Sequence, residues 1–470
     1  MKYNLKKTTK TTNHEGGVAY SLTPQTELYL FVCSALLADK FYEKESEQID
    51  RLRKLILQVK PEFVAKLCIY ARKEMHLRSI SHVLVVELAH VHKGLAKKVI
   101  PKICERADDM TEILAYQLAT YGKPIPNQIK KGLALAVKNF DEYQLAKYSR
   151  DTAVKIKDVI FLAHPKRTEL TDKVVKDTLE VPYTWEVQLS EKGNKEEVWR
   201  ELIVSGKLGY MALLRNLRNI LQVTNDGKLI QHIAERIQDA EQVHRSKQLP
   251  FRFWSAYKQL QAVANPYVDM ILNALAEACN HSAKNLKLHG ACFIVADVSG
   301  SMQHPISEKS SIERIEIGLV MSGIAKQISE FSMAGVFGDI FMLKNYPKGS
   351  PFMPVINYRE GEAGYSTNGY LAIRFLNEQN IKVDNILIFT DNQMWDSVNG
   401  GNHIQHEFSE YRKNVNPAVK LFCFDLAGYS TVQFPEGSVY LIGGWSEKVF
   451  EYIEASQSNA PIKDIENIEL

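Results

Sequence analysis

The chain has 470 residues, of which 45% are hydrophobic and 24% are charged, enough for two to four units that each bury a core. No apolar run reaches the roughly 18 residues that a membrane-spanning helix needs. The basic first residues are not followed by the apolar stretch of a signal peptide. Membrane and secreted classes are therefore excluded at this stage, and we expect a cytoplasmic protein.

The six cysteines lie far apart in mostly apolar surroundings, with no CxxC pair and no histidine at ligand spacing. This pattern is untypical of a disulfide framework or a zinc site. We expect buried thiols in a reducing compartment.

The net charge of +3 is unevenly distributed along the chain. Residues 1–290 carry 45 Lys and Arg against 33 Asp and Glu, a charge of +12, whereas residues 291–470 carry 13 against 22, a charge of −9. The opposite net charges of these two parts of the chain indicate two modules. The basic one is a candidate for polyanions, because clustered cations attract phosphates and release their counterions, although solvated helix faces explain such an excess equally well.

From about Leu22 to His281, apolar residues recur at spacings of three and four, with few glycines. This spacing is typical of amphipathic helices. The clearest helical segments are 26–44, 62–74, 81–93, 110–122 and 267–280. Helices of this length in series pair and stack, and since no strict sequence period is visible we expect an irregular, HEAT-like array.

After Leu288 the pattern changes to short, β-rich apolar runs that alternate with helical segments. The predicted strands are 291–296, 333–338, 385–390, 419–424 and 438–443. The predicted helices are 313–329, 368–379, 403–414 and 446–455. Such alternation indicates a mostly parallel sheet with helices on both faces, whose binding site lies at the carboxyl ends of the strands.

Oxygen-bearing side chains follow these strand ends. Asp297, Ser299 and Ser301 form a D-x-S-x-S loop after the first strand, a second loop spans residues 364–369, and Asp391 ends the strand NILIFT. One carboxylate and two hydroxyls on a tight loop suit a hard divalent cation, Mg²⁺ before Mn²⁺. The alternative is that these residues only cap a helix and end a strand.

The segments VADVSGSM, STNG and IFTDN resemble the metal-ion-dependent adhesion site of von Willebrand A-type domains. The resemblance implies metal ligation by Asp297, Ser299, Ser301, Thr367 and Asp391. Ser366 competes with Thr367 for the hydroxyl role. In that family, a carboxylate from a partner often completes the metal coordination.

The helical half resembles the TROVE module of the Ro autoantigen family in residues 13–35, 157–167 and 209–220. A TROVE module followed by an A-type domain is the Ro architecture, and the short tail and compact A-type domain bring the chain nearest to bacterial Ro orthologues. The resulting division is a flexible basic arm at 1–15, a TROVE module at 16–287, an A-type domain at 288–457 and a C-terminal tail at 458–470.

The resemblance implies a fold of class α plus α/β: a ring-like HEAT-type array closed by a Rossmann-like A-type domain. It also implies binding of small noncoding Y-like RNAs on a basic outer surface. Single-stranded 3′ ends of misfolded RNAs would pass through a central hole, and bacterial members are associated with exoribonucleases in RNA maturation and decay.

His164 is predicted at the end of an apolar helix, just before Pro165 and beside Lys166 and Arg167. This cluster is able to hold a phosphate or stack on a base. A histidine that only interacts with the helix dipole is the alternative. The resemblance adds two upstream basic residues to this surface, Lys147 and Arg150.

A second basic pair lies on the helix MALLRNLRNIL. Its apolar arc is predicted to comprise Met211, Leu213, Leu214, Leu217, Ile220 and Leu221, which leaves Arg215 and Arg218 exposed on the opposite face. Two guanidinium groups one turn apart match successive phosphates, although solvated arginines are equally consistent. Weaker candidates are Lys130 and Lys131 and the N-terminal Lys6, Lys7 and Lys10.

Catalysis is not predicted, because the chain lacks a phosphate-binding P-loop, a nucleophile elbow and an H-E-x-x-H pair. We expect a monomeric RNA-binding scaffold in RNA quality control. The alternative is a protein–protein adaptor whose helical solenoid binds peptides, and a metal-dependent phosphodiesterase is a third, weaker possibility.

Overall fold

A computed structural model of the chain describes residues 9–34, 44–149, 152–282, 286–306, 310–395, 403–435, 438–445, 448–455 and 460–470. The chain forms two compact units. The first, which we call the mixed unit, comprises Met1–Ile49 and Tyr210–Ile462. The second, which we call the helical unit, comprises Asp50–Gly209 and Lys463–Leu470. The domain boundaries given above, including 287/288, stay predictions.

Helices dominate the first two thirds of the chain. In order they are α1 Pro24–Cys33, α2 Glu45–Gln58, α3 Pro61–Lys73, α4 Ser79–Val91, α5 Ala96–Ile103, α6 Ala107–Tyr121, α7 Asn127–Ala136, α8 Glu142–Tyr148, α9 Ile156–Ala163, α10 Glu169–Lys176, α11 Trp185–Lys192, α12 Glu196–Val204, α13 Tyr210–Val223, α14 Gly227–Gln238, α15 Ala240–Ser246, α16 Pro250–Leu260 and α17 Val268–His281. The later helices are α18 Arg314–Ile328, α19 Met353–Ile356, α20 Tyr370–Glu378, α21 His403–Asn414, α22 Lys448–Ala455 and α23 Ala460–Asn467. The predicted helix at 26–44 ends at Cys33, and its residues 35–43 lie outside the described part.

The strands are β1 Lys10–Thr12, β2 Val18–Ser21, β3 Leu288–Asp297, β4 Ser329–Phe337, β5 Phe341–Lys344, β6 Asn385–Thr390, β7 Lys420–Asp425, β8 Thr431–Val432 and β9 Tyr440–Gly443. Six of them form a sheet in the order β5-β4-β3-β6-β7-β9. All neighbours in it are parallel except β4 and β5, which are antiparallel. The predicted class, α plus α/β with a mostly parallel sheet, is confirmed, and β5 is an addition that the sequence pattern did not predict.

The direction in which the sheet grows reverses between β3 and β6. In an open α/β sheet, ligands bind outside the carboxyl ends of the strands at such a reversal. The last residue of β3 is Asp297, and Asp391 follows directly after β6. The fold therefore places these two carboxylates on either side of the position where a ligand is expected.

Part of the predicted flexible arm, residues 1–15, is a strand. The β1 strand pairs with β2, which in turn pairs with β8, so residues from Lys10 onward join the mixed unit. The helix α1, which follows β2 in the chain, packs against the six-stranded sheet. The Gly443 N–H donates to the Tyr29 hydroxyl oxygen at 3.0 Å, and the Ser34 hydroxyl donates to the Asp425 carbonyl at 2.8 Å. Lys6 and Lys7 lie outside the described residues.

In the helical unit, Asp109 connects three helices and the loop before α6. Its carboxylate accepts hydrogen bonds from Arg78 at 2.5 Å and from the Arg106 backbone N–H at 2.9 Å, and it lies 3.2 Å from His82 and 3.4 Å from Arg72. Burial alone would raise the pKa of Asp109, but the hydrogen bond with His82 and the charges of Arg78 and Arg72 hold it below its usual range. The network fixes how α3, α4 and α6 pack.

The predicted C-terminal tail, residues 458–470, contains the helix α23. Lysines of the helical unit bind its last carbonyls: Lys66 Nζ donates to the Glu466 carbonyl at 2.6 Å and Lys102 Nζ to the Glu469 carbonyl at 2.7 Å. Lysines near a helix C-terminus satisfy the unpaired carbonyls there. Residues Lys463–Leu470 of the tail therefore belong to the helical unit.

All six cysteines are buried and free, as expected from their apolar surroundings. Among the described residues, no helix is both long and apolar enough to cross a membrane.

Candidate cation site and basic surfaces

The three loops predicted to converge do meet at the carboxyl ends of β3 and β6. The Gly300 N–H donates to the Tyr365 carbonyl at 2.9 Å, and the Trp395 N–H donates to the Thr367 carbonyl at 3.0 Å. The Thr390 hydroxyl donates to Asp297 Oδ2 at 2.6 Å. Each loop is thus bonded to another, and the site is fixed by the backbone as well as by side chains.

Two carboxylates are buried together at this point. Asp297 and Asp391 are both 0% exposed. Burial and the negative charge of Asp391 raise the pKa of Asp297 to about 7, and burial raises the pKa of Asp391. A buried pair of like charges is unfavourable unless a proton or a cation is shared between them.

The hydroxyls lie in the same buried layer. Ser299 is 0% exposed, Ser301 and Thr367 are each 3% exposed, and the two serine oxygens are 3.3 Å apart. Ser366 bonds elsewhere: its backbone N–H donates to Asp339 Oδ1 at 2.8 Å, and its hydroxyl lowers the pKa of Asp339 through a hydrogen bond. This arrangement favours Thr367 over Ser366 as the hydroxyl of the site.

These side chains fit a hard divalent cation. The donors are carboxylate and hydroxyl oxygens, and Asp391 Oδ2 is buried without a hydrogen-bond partner among the described residues, although buried polar atoms are normally paired. No described group of three or more His, Cys, Asp or Glu side chains is placed to hold a metal, so a cation here depends on the hydroxyls. Mg²⁺ would supply positive charge between the two carboxylates and an exchangeable coordination position.

The sequence pattern missed Arg314, which begins α18. Its side chain is 4% exposed, and Nε and Nη1 have no hydrogen-bond partner among the described residues. Burial lowers the pKa of Arg314, while the charges of Tyr429, Asp391 and Asp425 raise it. Arg314 therefore supplies one fixed positive charge near the carboxylate pair.

We expect the metal-free protein to lose stability as pH rises from about 4 to about 7. Asp297 has a folded pKa of about 7 against about 3.8 in an unfolded chain, so the folded state binds more protons across this interval and its stability falls as they leave. Over this whole interval, the free energy of unfolding falls by up to about 4 kcal/mol. Urea unfolding in EDTA at pH 5 and pH 8 should show about 3 kcal/mol of this loss, because the part below pH 5 lies outside that interval. The near-isosteric Asp297→Asn should reduce this pH dependence, and an unchanged dependence in that variant would contradict the shared burial of the two carboxylates.

His164, Lys166 and Arg167 are all exposed. His164 follows α9 in the left-handed conformation, with φ of 50°, and its N–H donates to the Ile160 carbonyl at 3.1 Å. Lys166 is exposed, whereas Arg167 pairs with Asp172 at 2.8 Å. Of this cluster, Arg167 is thus the member already engaged with an acidic side chain.

The other predicted lysines of the helical unit lie on two helices. Lys147, on α8, is half-buried with its Nζ 5.8 Å and 5.6 Å from the ring centroids of Tyr143 and Tyr148. Lys130 is half-buried and Lys131 exposed, both on α7. Arg150 lies outside the described residues, so its predicted role is untested; Lys10, on β1, is exposed.

In the mixed unit, α13 presents the predicted arginine pair. Arg215 and Arg218 are exposed, and neither forms an ion pair with a described residue. Arg252 is nearby: desolvation and the positive charge of Arg215 lower its pKa. Sequence spacing did not bring Arg252 to this face, because it belongs to α16.

The apolar arc of α13 is correct except at one position. Leu213, Leu214, Leu217, Ile220 and Leu221 are buried. Met211 is 42% exposed, because it lies in the first turn, where the helix has not yet been covered by its neighbours. The face that carries the arginines is therefore wider than predicted.

The TROVE domain matches residues 32–181 and 173–326, more than half of the chain. The chain belongs to the TROVE domain family. The family expectation drawn from the segments at 13–35, 157–167 and 209–220 is thereby confirmed.

Known proteins similar to this TROVE protein fall into two groups. The Ro (RSR) protein of Deinococcus radiodurans has the same fold, with a TM-score of 0.61, 18% identity, and coverage of 92% of this chain and 99% of that one. Telomerase protein component 1 of Rattus norvegicus is 23% identical over 342 residues, and that of Mus musculus is 42% identical over 93 residues. The matched parts are 13% and 4% of those two proteins.

Proposed function

We propose that this TROVE protein is an RNA-binding scaffold. It binds small noncoding Y-like RNAs on a basic surface and the single-stranded 3′ ends of misfolded or structured RNAs. It acts in the cytoplasm, as a monomer, in RNA quality control, maturation or decay together with an exoribonuclease. Membership of the TROVE family and the fold shared with a Ro protein support this proposal.

The observation that carries it is the arginine face of α13. Two other exposed arginines pair with a nearby carboxylate: Arg200 with Glu196 at 2.6 Å and Arg167 with Asp172 at 2.8 Å. Arg215 and Arg218 have no such partner among the described residues. Unpaired guanidinium groups one turn apart, with a third arginine nearby, are suited to consecutive phosphates of a single strand.

The cation site serves binding in this proposal, with Mg²⁺ as the first candidate and Mn²⁺ the second. A two-metal nuclease holds two ions about 4 Å apart and needs more carboxylates than the pair formed by Asp297 and Asp391. The site's hydroxyls, Ser299, Ser301 and Thr367, are donors suited to one cation that keeps some of its waters. We therefore propose a scaffold that binds RNA and does not cleave it.

We expect RNA to copurify with the protein from its own cells. An absorbance ratio at 260 and 280 nm above that of protein alone, followed by sequencing of the extracted RNA, measures this directly. Enrichment of a few structured small RNAs, or of RNAs with single-stranded 3′ ends, is the expected result. Nucleic-acid-free protein that retains a peptide or protein partner would favour the adaptor alternative instead.

A further inference from the structure

An open cavity of about 460 Å³ lies toward the amino ends of the parallel strands β3, β4 and β6. Its wall includes early residues of β3 and β4, the last turn of α18, the loop after β5 and the segment before β6. Sites for small molecules usually occupy roughly 300–1,000 Å³. The cavity is therefore large enough for a ligand, and it is separate from the candidate cation site at the carboxyl ends of the strands.

Three lysines line this cavity: Lys326, Lys348 and Lys382. Residues 291–470 carry only 13 Lys and Arg against 22 Asp and Glu, so three lysines in one cavity concentrate positive charge within the acidic part of the chain. The acidic residue of the wall, Glu330, is already engaged, because its carboxylate lies 3.1 Å from His289 Nδ1. The charge of the cavity therefore favours an anion.

Lys326 lacks the partner that a buried cation normally has. It lies in the last turn of α18, is 8% exposed, and forms no hydrogen bond or ion pair with a described residue. Burial, and then the positive charge of Lys348, lower the pKa of Lys326. A buried charge without a partner destabilises the folded state. An anion in the cavity would supply the missing partner.

The carboxyl end of α18 does not account for Lys326, because Lys348 already binds there. Ser329 caps this helix, and Lys348 Nζ donates to the Ser329 carbonyl at 2.7 Å. The loop that carries Lys348 is held on the same helix, since the Gly349 N–H donates to Gln327 Oε1 at 2.6 Å. The backbone thus brings two lysines of like charge to one cavity.

The wall also includes two aromatic residues. Phe331 is 72% exposed on β4, and an exposed aromatic ring offers a face on which a nucleobase stacks. Tyr346 is buried, and its hydroxyl has no hydrogen-bond partner among the described residues, although buried polar atoms are normally paired. The cavity therefore combines positive charge with an aromatic surface.

We propose that this cavity binds a nucleoside monophosphate, with its phosphate between Lys326 and Lys348 and its base against Phe331. A phosphate monoester carries a charge of about −1.5 to −2 near pH 7. It therefore balances two ammonium groups, which a carboxylate with a single charge does not. Lys382, exposed on the same wall, adds attraction at longer range.

Calorimetric titration with adenosine monophosphate tests the proposal, in EDTA so that no divalent cation holds the phosphate at the other end of the sheet. We expect saturable binding to the unmodified chain. Adenosine and inorganic phosphate should each bind about 10-fold more weakly or less, because each lacks one half of the ligand. Phe331→Ser should weaken binding of the nucleotide about 5-fold and leave that of inorganic phosphate unchanged.

The variant Lys326→Met separates a ligand-binding lysine from one that only supports the fold. It should weaken nucleotide binding about 10-fold or more, because a charged contact with the phosphate is lost. It should also raise the melting temperature of the ligand-free chain, since an apolar side chain replaces a buried charge without a partner. Lys413→Met removes an exposed lysine of α21 and should change neither quantity.

Three results would overturn the proposal: no binding of the nucleotide to the unmodified chain, equal affinity in Lys326→Met, or a lower melting temperature of that variant. A 5′-phosphorylated RNA trinucleotide distinguishes the source of the ligand. If Lys326→Met removes more affinity for the trinucleotide than for adenosine monophosphate, the site takes the 5′ end of an RNA. If it removes less, the ligand is a free nucleotide.

Discussion

Replacement of Asp297 by alanine should weaken divalent-cation binding by more than about 100-fold, since a direct carboxylate ligand contributes more than the outer groups whose loss costs 10- to 100-fold. The carboxylate is fully buried, one of its oxygens accepts the Thr390 hydroxyl, and the other accepts the Ser299 N–H at 3.0 Å. Both groups fix the orientation of the carboxylate. Without it, the site retains a single buried carboxylate, that of Asp391.

The measurement is the shift in melting temperature with added Mg²⁺, because a ligand that binds only the folded state stabilises it by RT ln(1 + L/Kd), where L is the free ligand concentration and Kd its dissociation constant. The unmodified chain should melt at a higher temperature in millimolar Mg²⁺, and the alanine variant should not respond. The variant Asp297→Asn is nearly isosteric, so a loss of the Mg²⁺ response in this variant as well would not be a result of misfolding. Asp269→Ala, which removes an exposed aspartate on α17, is the matched control. A full response in both Asp297 variants would contradict the site.

Much of the candidate site could be predicted because it depends on local rules. Strands of an α/β sheet are short, apolar and β-rich, and their carboxyl ends lie at one edge, so D-x-S-x-S, the Thr367 loop and Asp391 could be expected to meet. The hydrogen bonds among Gly300, Tyr365, Thr367 and Trp395 show that they do. The occupant is not a local property and remains a proposal.

The parts that could not be predicted depend on contacts between distant residues or on weak patterns. The Asn13 side-chain amide donates to the Met394 carbonyl, 381 positions away, and nothing in NHEGG specifies the loop against which this segment packs. The β5 strand is a run of only four residues, FMLK, none of which is buried, and so short an apolar run does not by itself distinguish a strand from other structure. The exposure of Met211 depends on how neighbouring helices cover the first turn of α13, which the helical period does not specify.

The basic residues likewise include some whose positions could be predicted from the sequence and some whose positions could not. The position of His164 at a helix end follows from Pro165 and was predictable. The approach of Arg252 to Arg215 joins two helices and was not. The pairing of Arg167 with Asp172, five positions along, is a local contact. It reduces the weight of Arg167 as a phosphate ligand relative to the unpaired arginines of α13.

Reversing both charges on α13, with Arg215→Glu and Arg218→Glu together, should weaken RNA binding about 10-fold or more at 0.1 M salt. Each arginine is exposed and unpaired among the described residues, so the change breaks no ion pair and leaves the buried leucines of the helix in place. A matched control with the same charge change is Arg200→Glu with Arg245→Glu. Those arginines are already paired with Glu196 and Glu241, respectively, and we expect a much smaller loss of affinity.

The most direct test of the RNA-binding scaffold is the salt dependence of its affinity for a single-stranded RNA. Fluorescence anisotropy measures this affinity between about 0.05 and 0.3 M salt, where the release of counterions dominates the salt dependence. For the unmodified chain we expect the logarithm of the affinity to fall linearly with the logarithm of salt concentration, with a slope of several units. The double α13 variant should have a slope shallower by roughly 1–2, about 0.7 for each lost phosphate contact. An affinity that does not change with salt, or that is the same in the double variant, would contradict the scaffold.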